Sequence, residues 1–366
     1  MPGIARWIVV AAVALGTAGC GGGRAVRPLG APPVTPLVAH VGAAANLTAY
    51  RGDVLWSRRD PRTRRWSLML WHAGALPRRL PVAARPTAFD ADAGPGVDGR
   101  PVVVFSRCAR DRRPADDGWR DARGCKIMAL DLTDPTARPR AVPRTGGAAG
   151  SDTTPSAWRG HLAVARTTAD GRQRVVLLDR AGTRPPRRLP MPPAPASSPT
   201  TIDALDLGAR VATFVARTRH GAIGVGEGWS LQVDRLDGRA AGSVSDGFES
   251  GACGFRYPDS PTADGLGVRW VELGSPCDGF ETVFGRQDLA RHTRDQARAS
   301  GGLILGAAAD GPDTYWLRGH ARTRDGEVVD ADCHDHGPQR CDLLRARRLP
   351  WRAVPDGASV GPEPEG

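Results

Sequence analysis

A unit of strand, turn, strand and basic exit recurs along this chain about every fifty residues, and a repeat of that period constrains the fold more than any single motif. Its second strand reads GDVLWSRR (52–59), RPVVVFSR (100–107), GHLAVAR (160–166), ARVATFVAR (209–217), GLGVRWVE (265–272) and DTYWLRG (313–319). A further apolar run follows each: WSLMLWHA, CKIMALDL, RVVLLDR, WSLQVDRL, FETVFGRQ and CDLLRARR. Alternation and β-branched content predict strands throughout. Four units then leave through a basic-Leu/Val-Pro phrase, namely PRRLPV, PRAVP, RRLP and RRLPW.

Segments such as NLTAY, TPSAW, TIDALDL and LILGAAA supply a strand ahead of each pair. One four-stranded sheet cannot bury both faces until neighbours stack around an axis, so the six units predict an all-β chain folded as a single propeller of six four-stranded blades. Two β-sandwiches would leave the recurring order unexplained. On SPTADGLGVRWVE, AAADGPDTYW, VVLLDRAGTRPPRRLP and IMALDL the chain resembles the TolB-type, WD40-like propeller repeats of the bacterial envelope. That resemblance implies a propeller over residues 39–355 and says little about function. Trp56, Phe105, Phe214, Trp270 and Trp316 hold corresponding positions and are expected to pack between blades.

The chain opens MPGIARWIVVAAVALGTAGC. Arg6 precedes an apolar run from Trp7 to Leu15, which is too short to cross a hydrocarbon core about 30 Å thick. With Thr17-Ala18-Gly19-Cys20 behind it, the segment resembles a bacterial lipoprotein signal peptide, although that family usually has Leu where Thr17 stands. The resemblance implies cleavage after residue 19 and lipid on Cys20. GGGRAVRPLGAPPVTP then reads as a flexible tether over 20–38, and 356–366 as a disordered tail. The expected location is extracytoplasmic, anchored to a membrane by lipid.

Six cysteines remain: Cys108, Cys125, Cys253, Cys277, Cys333 and Cys341. An even number in an exported chain argues for disulfides. Proximity favours Cys108 with Cys125, Cys253 with Cys277 and Cys333 with Cys341, all on the propeller face that carries the second-to-third-strand loops. Within VVDADCHDHGPQRC, Asp332, His334 and His336 could coordinate a divalent metal, although a solvated loop tip explains the same residues.

Of 50 basic residues only Lys126 is lysine, and the net charge of +11 is spread along the chain. With an export signal in front, the charge suits acidic envelope polymers or lipid heads, and nucleic acid is not an expected partner. No nucleophile elbow, zinc-protease helix or phosphate-binding loop occurs, and no cofactor is called for. Arg58, Arg107, Arg166, Arg217 and Arg318 each end a second strand, with Glu272 at the fifth position. If second strands lie near the axis, these arginines form a broken anion-binding ring at the channel mouth. First strands show no obvious clustering of inward carboxylates. A binding or scaffolding module for an envelope protein or polymer is therefore the leading expectation. The alternative is a propeller hydrolase or dehydrogenase using carboxylates near the channel.

Overall fold

Val54, Leu55 and Trp56 are consecutive and all buried, so their strand has an apolar layer against each face. Val102 to Phe105 and Leu162 to Ala165 repeat the pattern. A sheet covered on both sides reads as a continuous apolar run, and blades stacked around a ring supply that cover. The computed structural model describes residues 34–38, 41–109, 122–146, 150–169, 171–179, 184–191, 200–219, 227–249, 255–275, 281–298, 303–319, 322–324, 327–330 and 341–354.

The first described strand is β1 (Val34–Val38). Blade one comprises β2 (Ala44–Tyr50), β3 (Asp53–Arg59), β4 (Trp66–His72) and β5 (Arg78–Arg79). Blade two comprises β6 (Asp92–Pro95), β7 (Pro101–Arg107), β8 (Lys126–Asp131) and β9 (Arg140–Ala141). Blade three holds β10 (Ser151–Trp158), β11 (His161–Thr167), β12 (Gln173–Asp179) and β13 (Arg187–Arg188). Blade four holds β14 (Thr200–Leu207), β15 (Val211–Arg219), β16 (Glu227–Arg235) and β17 (Ala240–Glu249). Blade five holds β18 (Phe255–Asp264), β19 (Gly267–Ser275), β20 (Glu281–Asp288) and β21 (Thr293–Arg298). The last blade starts with β22 (Leu303–Asp310) and β23 (Asp313–Gly319), projects a hairpin of β24 (Arg322–Arg324) and β25 (Glu327–Asp330), and resumes with β26 (Asp342–Arg347). A short β27 (Arg352–Ala353) then pairs with the outer edge of β21 in blade five.

The sixth blade takes its fourth strand from the other end of the chain. β1 pairs antiparallel with β26, Val34 opposite Ala346 and Val38 opposite Leu343. Residues 34–38, expected as the end of the tether, are therefore the strand that closes the ring. Composition misled here because Pro36 breaks the pattern; on an outermost strand its missing N–H costs no ladder bond.

Six apolar clusters correspond to the six blade interfaces. Phe105 packs with Leu55 and Leu70 between blades one and two, and Val164 with Val104 and Ile127 between two and three. Phe214 lies between blades three and four, Trp270 between four and five, Trp316 between five and six, and Trp56 between six and one. All five large aromatics expected to pack between blades are at most 2% exposed. Trp270 lies so close over Gly285 that a Cβ there would sit 2.3 Å from the indole, which is why blade five has glycine in the middle of β20.

Each first strand runs toward a face we call the turn face, where tight turns join first to second strands. The opposite, connection face carries the second-to-third-strand loops and the links between blades. Neighbouring first strands contact one another all the way around, from β2 through β6, β10, β14 and β18 to β22 and back to β2. First strands, not second strands, therefore surround the axis. The disulfide Cys108–Cys125 joins the end of β7 to the start of β8 on the connection face. Cys341, just ahead of β26 on the same face, is disulfide-bonded as well. Cys253, Cys277 and Cys333 lie outside the described residues.

Removing residues 34–38 should uncover the apolar side chains of β26 and lower the unfolding free energy by about 3 kcal/mol or more. A urea titration of the chain beginning at residue 39 measures it, and an unchanged midpoint would contradict closure by β1.

Candidate functional site: the central channel

The axis of the ring is a cavity of about 850 Å³ lined by all six first strands. Seven aspartates line it, Asp90, Asp92, Asp203, Asp206, Asp259, Asp264 and Asp310, against the arginines Arg59 and Arg217. The sequence expectation of no inward carboxylate clustering is thus overturned. Asp203 and Asp206 of TIDALDL, Asp264 of SPTAD and Asp310 of AAAD lie on first strands, and it is first strands, not second strands, that surround the axis.

These carboxylates bind the blades to one another. Thr48 Oγ1 donates to Asp92 Oδ1 at 2.8 Å, joining blades one and two. Ser156 Oγ lies 2.8 Å from Asp92 Oδ2 and 3.0 Å from Asp206 Oδ1, joining blades two, three and four. The N–H of Ala263 donates to Asp206 Oδ2 at 2.6 Å, reaching blade five. The N–H of Ala307 donates to Ser260 Oγ at 3.1 Å, reaching blade six. Finally, the N–H of Gly52 donates to Asp310 Oδ2 at 2.7 Å and returns to blade one. A polar belt thus crosses every interface on the channel side of the apolar layer. At Gly94 the inner strands of blades two and three come so close that a Cβ would lie 2.1 Å from the Ala157 carbonyl oxygen.

The belt fixes a proton count. Ser156 Oγ already accepts from the N–H of Leu207 at 2.8 Å, and its single hydrogen can serve only one of the two carboxylate oxygens beside it. The remaining contact is a hydrogen bond only if that carboxyl carries a proton. Burial, and then the neighbouring Asp206, push Asp92 up to about 8. Burial likewise raises Asp206. With one of the two acids protonated, both of their contacts to the serine are hydrogen bonds. Burial also raises Asp259, which accepts from Ser260 Oγ at 3.2 Å.

Bulges place the donors and acceptors. The register shifts within β2, β10, β14, β18 and β22, bending each inner strand as it passes the axis. At three bulges a non-glycine residue adopts positive φ: Asn46 at 51°, Thr154 at 48° and Ser260 at 49°. Asn46 Nδ2 donates across to the Phe89 carbonyl at 2.6 Å, and the N–H of Thr154 to Asp90 Oδ2 at 2.8 Å. Thr154 is β-branched and its buried Oγ1 has no hydrogen-bond partner among the described residues, so it holds a strained conformation for that one backbone bond.

The strand-end arginines do not form a ring. Only Arg217 lines the channel, paired with Asp203 of the neighbouring strand at 2.9 Å. Arg166 is buried in a two-pronged pair with Asp152, at 2.6 and 2.8 Å. Arg318 pairs with Asp342 at 3.0 Å, while Arg58 and Arg107 are exposed at the connection face. In the fifth blade Glu272 is buried and accepts from Trp270 Nε1, Ser245 Oγ and Arg294. The second strand stands one layer outside the axis, so Arg166, Arg217 and Arg318 meet carboxylates of their own blades. Cys20, Asp332, His334 and His336 lie outside the described residues; among those described, no group of three or more His, Cys, Asp or Glu could hold a metal ion.

Aromatic pairs flank the channel at both ends. Trp229 stacks on Tyr257 at 5.1 Å near the connection face, and Tyr50 meets Trp158 edge-on at 6.4 Å near the turn face.

No protein-family model and no curated protein matches the chain. Among solved structures it is similar to TolB from Acinetobacter baumannii, with 14% identity and a TM-score of 0.43, covering 83% of this chain and 66% of that one. A puromycin-hydrolysing peptidase from Mycobacterium tuberculosis gives 13% identity and a TM-score of 0.47 over 92% of this chain and 56% of that one. A putative TolB from Agrobacterium tumefaciens gives 11% identity and a TM-score of 0.34, covering 53% and 61%. The chain spans less than two thirds of the length of each of the three.

Two outcomes follow from the belt. A carboxyl raised on folding contributes most below its unfolded value, so wild-type stability should fall as pH rises from about 4 to about 8. In Asp206→Asn the amide can donate to Ser156 and its oxygen can accept from Ala263 without a proton, and the slope of denaturation midpoint against pH should flatten. Thr154→Gly should raise stability by about 1 kcal/mol by releasing the strained φ, measured by denaturant unfolding.

Proposed function

We propose that this protein is an extracytoplasmic lipoprotein, held to a membrane through lipid on Cys20, whose propeller is a binding or scaffolding module for an envelope protein or acidic polymer. The signal-like first twenty residues support the anchor, and the Cys108–Cys125 disulfide fits an oxidising compartment. The observation that carries the binding reading is the connection-face mouth. There the stacked Trp229 and Tyr257 border the channel beside the Arg217–Asp203 pair. Arg58 and Arg107 are exposed on the same face, where guanidinium groups suit carboxylate or phosphate recognition.

A second reading, a propeller enzyme working through channel carboxylates, draws on the single proton of the Asp92 and Asp206 pair. A pair of acids held in two protonation states is suited to general acid–base work. Against it, each acid's oxygens are engaged in holding blades together. Asp206→Asn separates the readings: a hydrolytic activity would be abolished, whereas binding at the mouth would persist.

Cys20→Ala should release the mature protein from the membrane fraction or leave the precursor uncleaved; an unchanged detergent-phase protein would sink the anchor. For the mouth, a crosslinker placed at Arg107 should capture an envelope component, and Trp229→Ala with Tyr257→Ala should weaken that capture about tenfold. Undiminished capture, with the fold intact by circular dichroism, would move the binding surface elsewhere.

A further inference from the structure

We infer that the turn face of blades one to three is a docking surface for an anionic lipid bilayer. Leu76 and Val97 are the exposed large hydrophobic residues among those described, at 89% and 72% exposure. Leu76 lies in the turn between β4 and β5, and Val97 in the turn between β6 and β7, so both tips project from one face of adjacent blades. Arg51, in the turn between β2 and β3, reaches the turn that carries Val97: its guanidinium lies 5.6 Å from the Tyr50 ring and donates to the Gly99 carbonyl at 3.3 Å. Val97 abuts Gly160, and the N–H of Arg159 donates to the Pro95 carbonyl at 2.9 Å, tying blade three into the patch. Tyr50 and Trp158 meet beneath it, each partly exposed.

The chemistry is that of an interface between hydrocarbon and water. Aliphatic tips suit the acyl boundary, Tyr and Trp the headgroup level, and arginines the lipid phosphates. The exposed arginines Arg51 and Arg159 occupy the first-to-second-strand turns of blades one and three without a carboxylate partner among the described residues. Of the exposed acids on this face of the three blades, Asp98 is taken up by Arg100 at 3.4 Å, and Asp134 in the β8–β9 turn accepts from Thr136.

The chain's own path selects a membrane as the occupant. Val34 pairs with Ala346 at the turn-face end of β26, so the chain enters the ring on this face, on the blade next to blade one. Fourteen residues separate Cys20 from Val34, and a Gly-rich segment of that length has a root-mean-square reach of about 20 Å. This part of the argument rests on the proposed lipid anchor: the anchor would hold the turn face at the bilayer and leave the connection face, with its disulfides, turned away.

The test removes the anchor. Every described strand lies at or beyond Val34, so the mature chain from residue 20 with Cys20→Ser contains the whole ring. It should co-sediment with phosphatidylglycerol/phosphatidylcholine vesicles, bind pure phosphatidylcholine vesicles more weakly, and lose binding as salt rises. Leu76→Asp with Val97→Asp, and separately Arg51→Gln with Arg159→Gln, should each lower the vesicle partition coefficient about tenfold. Arg62→Gln with Arg64→Gln, both exposed in the β3–β4 loop, removes the same charge from the opposite face and should leave it unchanged. Absent vesicle binding, or equal losses from the two faces, would overturn the inference. So would a dimer in solution that Leu76→Asp with Val97→Asp dissociates, which would make the patch a contact between copies. Because the anchor is absent here and is read separately by fractionation of Cys20→Ala, failure of one reading is distinguishable from failure of the other.

Discussion

Closure of the ring is the constraint on which the rest of the structure depends, and it is enforced in two concentric layers. Outside, each blade interface is an apolar slab around a large side chain such as Trp56, Phe105 or Trp316. Inside, a belt of hydrogen bonds from side chains such as Thr48, Asp92, Ser156 and Asp206 crosses those interfaces. The slab is non-directional and would tolerate blades sliding past one another. The belt is directional and buried, so a slip of one residue would strand several polar groups without partners. Attraction comes mainly from the first layer and registration from the second.

This division explains why the channel is acidic in a chain of net charge +11. Carboxylates accept backbone N–H groups from the next blade, a task no arginine can perform. Arginines such as Arg166 and Arg318 sit one layer outward, pairing with Asp152 and Asp342 within their own sheets. Net charge therefore says little about the axis.

Much of the ring was legible in the sequence because apolar second and third strands repeat at a steady period and are buried on both faces. The five aromatics fell between blades for the same reason. The channel was less legible because its strands carry the polar belt and a bulge, which breaks the alternation that marks a strand. β6 shows the difficulty: Ala93, Gly94 and Pro95 have almost no strand signature, yet Gly94 stands where Ala157 of the next blade approaches too closely for any side chain. The closing strand was illegible locally because VTPLV has a partner only at Asp342–Arg347, at the far end of the chain.

That far partner gives the molecule an order of assembly. Val34–Val38 precedes every other described strand and its mate follows all of them but β27, so five blades can stack while the ring is still an open arc. Pairing between the two ends has the greatest sequence separation in the fold and belongs to the slow class of contacts. Until it forms, the third strand of the sixth blade has a bare outer edge able to accept a strand from another copy. Swapping of amino-terminal segments between molecules is then the characteristic misassembly of this architecture, in competition with the strand of the same chain, whose local concentration is set by its covalent connection.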